Sequence, residues 1–91
     1  MDDLEYFYFL LKIKSIDRYC GSFGELWVCQ GVANTVFYDT IELTEEMKVM
    51  NGRIIECYLD PTDNTTNKWV FNRLGTNRKY PSGLKLNKRG T

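Results

Sequence analysis

Apolar and polar residues in this chain recur with a period of two, with little trace of the 3.6-residue helical period, and that rhythm commits it to strands. Residues 6–16 (YFYFLLKIKSI) are aromatic and aliphatic, and from Leu11 they alternate, Leu11 and Ile13 against Lys12 and Lys14. Successive side chains of a strand point to opposite faces, so the pattern predicts a half-buried strand. Four more strands are predicted over residues 25–32, 34–43, 53–59 and 68–74, where β-branched and aromatic residues concentrate. Residues 17–24, with Gly21 and Gly24, read as a loop. Ala33-Asn34 reads as a turn, and residues 60–67 as polar turn chemistry. Only residues 44–50 change character. Thr44 is a good N-cap, Glu45 and Glu46 suit the first turn, and Asn51-Gly52 supplies a C-cap. They predict a helix of one or two turns.

Five short strands and one small helix in 91 residues fit a single domain spanning residues 1–91. The fold class expected is all-β, a small five-stranded Greek-key barrel of the OB (oligonucleotide/oligosaccharide-binding) type. An SH3-like barrel shares the pattern. So short a chain buries only about 60–65% of its unfolded surface, and two Trp, six Tyr and five Phe supply much of the apolar area. No apolar run approaches the length of a membrane span, and no basic-then-apolar leader opens the chain, so no membrane partner is expected. Cys20, Cys29 and Cys57 lack CxxC spacing and no histidine joins them. Buried free thiols in a reducing, intracellular compartment are expected, with no metal site.

The net charge of zero hides a division. Residues 1–63 hold five basic and twelve acidic side chains, a balance of −7, whereas residues 64–91 hold seven basic and none acidic. A basic third on an acidic body suits an anionic partner such as a phosphate chain or nucleic acid, or a tail held to the acidic half. No nucleophile–base pair is readable, so no catalytic residue is expected in this chain. Glu45-Glu46 are adjacent on a helix, point in different directions and suit capping better than acid–base work. Alternation through Trp69-Val70-Phe71-Asn72-Arg73 predicts Trp69, Phe71 and Arg73 on one face, the two aromatics in the core. Arg73 ends that row, where a planar guanidinium could meet phosphate.

Two motifs carry a resemblance. The strand Arg53-Ile54-Ile55-Glu56-Cys57 followed by Trp69, Phe71, Arg73, Tyr80 and Pro81 resembles the C-terminal OB domain of eukaryotic and viral mRNA capping guanylyltransferases. There the strand reads "x-(K/R)-I-(I/V)-E-C" and is followed by "W-x-F-x-R-x-R-x-D-K-x-(F/Y)-P-N". Tyr8-Phe9-Leu10-Leu11-Lys12-Ile13 is similar to the preceding "D-F-x-L-K-(I/L)", with Tyr8 where aspartate is expected. Arg73 sits at the first arginine of "R-x-R-x-D-K", Gly75 at the second, Asn77 at the aspartate and Arg78 at the lysine.

The resemblance implies an OB lid that closes over a nucleotidyltransferase domain and meets the β- and γ-phosphates of GTP. A lysine of that other domain attacks the α-phosphorus, and GMP then passes to the 5′-diphosphate end of RNA. The implied partners are that domain, GTP and the RNA 5′ end, with Mg or Mn in the full enzyme and no cofactor bound by this chain alone. Arg73, Asn77 and Arg78 are the implied phosphate contacts, and Lys68 and Lys79 are candidates for further RNA or phosphate contacts. The attacking lysine's "K-x-D-G" is absent from these residues, so the chain alone should not catalyse. The implied location is the nucleus of a cell, or the cytoplasm for a virus. Two other readings remain open: a free-standing OB module for single-stranded nucleic acid, and a degenerate lid that serves as a protein-interaction domain.

Overall fold

A computed structural model of the chain describes residues 5–17, 21–31, 34–60 and 69–83. Its strands are β1 (Tyr6–Asp17), β2 (Gly21–Gln30), β3 (Asn34–Ile41), β4 (Ile54–Leu59) and β5 (Trp69–Leu74). All pair antiparallel in one sheet of order β3-β2-β1-β4-β5. Three consecutive strands with the fourth returned beside the first make a Greek key, the arrangement expected of an OB barrel. The fold is all-β.

The length of β1 makes this order possible. Its first half, Tyr6 to Leu10, pairs with β4, and its second half, Leu10 to Asp17, pairs with β2. The handover at Leu10 leaves a gap between the start of β1 and the end of β2, and the segment Pro81-Ser82-Gly83 fills it. The Ser82 N–H donates to the Tyr8 carbonyl at 2.7 Å, and the Cys29 N–H donates to the Ser82 carbonyl at 2.9 Å. The Tyr8 N–H in turn donates to Ser82 Oγ at 2.9 Å.

β3 and β5 end the sheet on opposite sides, and side chains draw them together. Trp69 Nε1 donates to Asp39 Oδ2 at 3.1 Å, and the Trp69 ring lies edge-on to Phe9 and Tyr38 at centroid distances of 4.8 and 6.3 Å. Inside the curl sit Phe9, Leu11, Leu26, Val28, Ile41, Met47, Ile55, Cys57, Leu59 and Trp69. The expected alternation of β1 holds, with Phe9 and Leu11 fully buried and Lys14 exposed. Trp69 is buried and Phe71 packs against the core, both as expected from the sequence.

Three expectations need correction. Residues 21–24 are strand, not loop: Ser22, Phe23 and Gly24 pair with Ser15, Lys14 and Ile13. Gly24 is there for packing, since a Cβ would come within 2.8 Å of Ile41 Cγ2 and Leu11 Cδ1. The helix is a single 3-10 turn, Glu46–Val49, rather than one or two α-helical turns over 44–50. Its N-cap is Glu45 rather than Thr44, although Thr44 Oγ1 still accepts from the Met47 N–H at 3.3 Å. Gly52, at φ 81, then turns the chain so that its N–H reaches the Leu11 carbonyl at 2.7 Å, docking the turn on β1 before α-geometry can extend. The third correction concerns β5. Its register slips between Glu56 and Cys57, so that Glu56 opposes Arg73 and Cys57 opposes Phe71. Asn72 is the extra residue of a bulge, and a bulge breaks the strict two-residue period. Arg73 therefore leaves the face of Trp69 and Phe71 and meets Glu56 on the outside.

Cys57 is buried and Cys29 half-buried, both free thiols. Cys20, Lys68 and the loop predicted over 60–67, beyond Asp60, lie outside the described residues. Among those described, no helix is long and apolar enough to cross a membrane.

Candidate phosphate-binding cleft

β4 runs Ile-Ile-Glu-Cys-Tyr-Leu, and its burial alternates only in part. Ile55 and Cys57 are fully buried in the core; Glu56 points the other way and is nevertheless only 4% exposed. Its neighbours on the outer face enclose it. Tyr8, its register partner on β1, donates its hydroxyl to Glu56 Oε1 at 2.8 Å. From the bulge, Asn72 Nδ2 donates to Oε2, and Arg73 Nε lies 3.3 Å from the same oxygen. A buried carboxylate needs such donors, since an unpaired one would be costly. Both oxygens are thus engaged, one toward β1 and one toward β5.

The electrostatics follow from that geometry. Burial alone would raise the Glu56 pKa, but the bonds from Asn72 and Tyr8 and the charge of Arg73 together hold it below the usual carboxylate value. The Tyr8 phenol moves the other way. Its bond to Glu56, then burial, then the Glu56 charge raise its pKa, against an opposite pull from Arg78 and Arg73. The Cys57 thiol is also raised, mainly by burial and then by Glu56, which makes it an inert core residue rather than a nucleophile.

After β5 the chain turns back over this cluster. The Gly75 N–H donates to the Ile54 carbonyl at 2.8 Å, and the Arg78 N–H to the Gly75 carbonyl at 3.2 Å. A side chain at position 75 would be tight, its Cβ 3.2 Å from both the Ile54 oxygen and Tyr8 Cδ1. The turn lays the Arg78 guanidinium over the Tyr8 ring, Cζ 4.1 Å from the centroid. Tyr8, Glu56, Arg73 and residues 74–78 then line a cleft of about 290 Å³. Arg73 pairs through Nε with its side chain 73% exposed, so the guanidinium remains open to a ligand.

Of the residues singled out from sequence, Arg73, Asn77 and Arg78 share this cleft. Lys79 is exposed on the same loop but does not line it, and Lys68 lies outside the described residues. Sequence reasoning missed Glu56 as a site residue and treated Tyr8 only as a mismatch. A lone carboxylate inside an apolar strand was the available signal. Gly75 and Tyr8, two of the positions that depart from the guanylyltransferase motifs, both line the cleft, and a Cβ at position 75 would lie 3.2 Å from Tyr8 Cδ1. Among the described residues no group of three or more acidic, Cys or His side chains could hold a metal ion.

A second outward cluster lies on β1–β3. Lys12 Nζ sits 3.6 Å from the Trp27 ring centroid, Trp27 Nε1 donates to Glu25 Oε1 at 3.0 Å, and Phe37 packs edge-on to Trp27 while 49% exposed.

No protein-family model matches this chain, and no curated protein matches its sequence.

Proposed function

We propose that this chain is an OB domain that binds the phosphates of a nucleotide in the Arg73–Arg78 cleft, in the role of a guanylyltransferase lid in mRNA 5′ capping. The observation that carries the reading is the convergence of Arg73, Asn77 and Arg78 on one cleft beside a single, already engaged carboxylate. Two guanidiniums against one carboxylate leave a positive site, and guanidinium forks suit phosphate oxygens. In a lid, such groups would stabilise charge on the leaving pyrophosphate once closure completes the site. The chain supplies no attacking lysine of the "K-x-D-G" kind, so GMP transfer needs a separate nucleotidyltransferase domain.

Titration with GTP and with tripolyphosphate, followed by the amide resonances of residues 74–78, tests this. Saturable binding is expected, and Arg73→Ala should weaken it about 10- to 100-fold, the worth of one charged hydrogen-bonding group. Binding indifferent to Arg73→Ala, or no binding, removes the reading.

The Lys12–Trp27–Phe37 cluster favours a second reading, a stacking platform for single-stranded nucleic acid. Phe37→Ala would then weaken single-stranded RNA binding while leaving tripolyphosphate untouched. Trp69 is only 3% exposed, so quenching of tryptophan fluorescence by RNA would report Trp27.

A further inference from the structure

We infer that Tyr8 is the positioning residue of the cleft: its ring is the platform that sets Arg78 as a second phosphate-gripping arm in the cleft that Arg73 also lines. The inference rests on the phosphate-binding reading of this site and deepens it.

Four constraints hold that ring. Its hydroxyl is tied to Glu56 Oε1 at 2.8 Å. Its backbone is clamped on both sides by Ser82, N–H to Oγ at 2.9 Å and carbonyl from N–H at 2.7 Å. One ring edge lies against Gly75, where a Cβ would be 3.2 Å from Cδ1. One ring face carries the Arg78 guanidinium, its Cζ 4.1 Å from the centroid. An arginine side chain loses about 2 kcal/mol of rotamer freedom when it is fixed. Resting on an aromatic face offsets part of that in advance, so less remains to be lost when ligand arrives.

The same carboxylate links both arms. Glu56 Oε1 holds Tyr8, and through it Arg78, while Oε2 holds Arg73. Gly75 completes the arrangement by absence of a side chain. A Cβ there would crowd both the Tyr8 ring and the Ile54 carbonyl at 3.2 Å, so the glycine lets the turn pack close to the ring. Arg78, three residues on, supplies from above the ring a charge that position 75 cannot. Two arms on one cleft grip linked phosphoryl groups better than one, so the ligand class is a polyphosphate rather than orthophosphate.

The test begins without ligand. In the wild type the Arg78 side-chain resonances should be shifted upfield by the Tyr8 ring current. Tyr8→Phe should keep the shift and Tyr8→Leu should lose it; a shift absent from the wild type overturns the inference outright. Tripolyphosphate and orthophosphate are then titrated into wild type, Tyr8→Leu, Arg78→Ala and the double variant. Tyr8→Leu should weaken tripolyphosphate about two- to fivefold and leave orthophosphate nearly unchanged, and Arg78→Ala should cost less on the Tyr8→Leu background than on the wild type. Full additivity would show that Tyr8 does not position Arg78, even if Arg73→Ala still abolishes binding. Loss of all dependence on Arg73 would instead defeat the phosphate reading and leave the ring-current result to judge the platform alone. Tyr8→Phe, which keeps the ring and loses only the hydroxyl, guards against mistaking a folding defect for a positioning effect.

Discussion

The sheet presents two outward pairs of a cation and an aromatic ring, and they differ in what lies beneath. Lys12 over Trp27 sits between neighbouring strands, with Glu25 accepting from the indole at the surface. Arg78 over Tyr8 sits above a buried carboxylate that also reaches a second guanidinium. The first pair is a surface contact of the kind worth about 0.5–1 kcal/mol. The second is one end of a network, in which removing a member strands its partners. A cation beside a ring does not by itself mark a site; the engaged buried charge beneath it does.

Four measurements would break or sharpen that contrast. The largest effect belongs to what both pairs stand on. Phe9 is fully buried against Trp69 and Tyr38, and Phe9→Ala should cost about 3–5 kcal/mol in denaturant unfolding, most of the stability of so small a domain. Next comes Glu56→Gln. The amide cannot satisfy the Tyr8, Asn72 and Arg73 donors at once, so a loss of about 1–3 kcal/mol is expected. Glu25→Gln, under the other pair, should change unfolding by about 0.5 kcal/mol at most. Equal costs would erase the distinction between network and surface contact.

The third measurement follows pH. The folded-state pKa of Glu56 is depressed, so its contribution is present above the unfolded carboxylate value and lost as pH falls through the folded one. The stability gap between wild type and Glu56→Gln should be constant above about pH 5 and close progressively below it. A gap that persists at pH 2–3 would assign the effect to packing. The fourth measurement is Lys12→Ala, which should cost about 0.5–1 kcal/mol and leave tripolyphosphate affinity unchanged.

Most of the fold was legible because it depends on alternation within each strand. Leu11 and Ile13 against Lys12 and Lys14 needed no knowledge of a partner, and neither did the core position of Trp69. What escaped depends on two strands at once. The bulge at Asn72 is a mismatch of β5 against β4, invisible in either alone, and it decides which face receives Arg73. Gly24 looked like a loop glycine because the side chains that crowd it, Leu11 and Ile41, come from other strands. Of the site, the basic residues Arg73 and Arg78 could be read from their motif. Glu56 left only the signal of a lone carboxylate in an apolar strand, and Tyr8 left none, since the role of each is set by the other.

The Ser82 segment also bears on solubility. Where β1 leaves β2, the Tyr8 and Cys29 backbones would offer unsatisfied amide and carbonyl groups to any passing extended chain, the usual route to edge-to-edge aggregation. Ser82 occupies that opening with its own N–H, carbonyl and hydroxyl. Displacing it, for example by proline at position 82, which removes the donor to Tyr8, would turn an internal seam of the sheet into a sticky border.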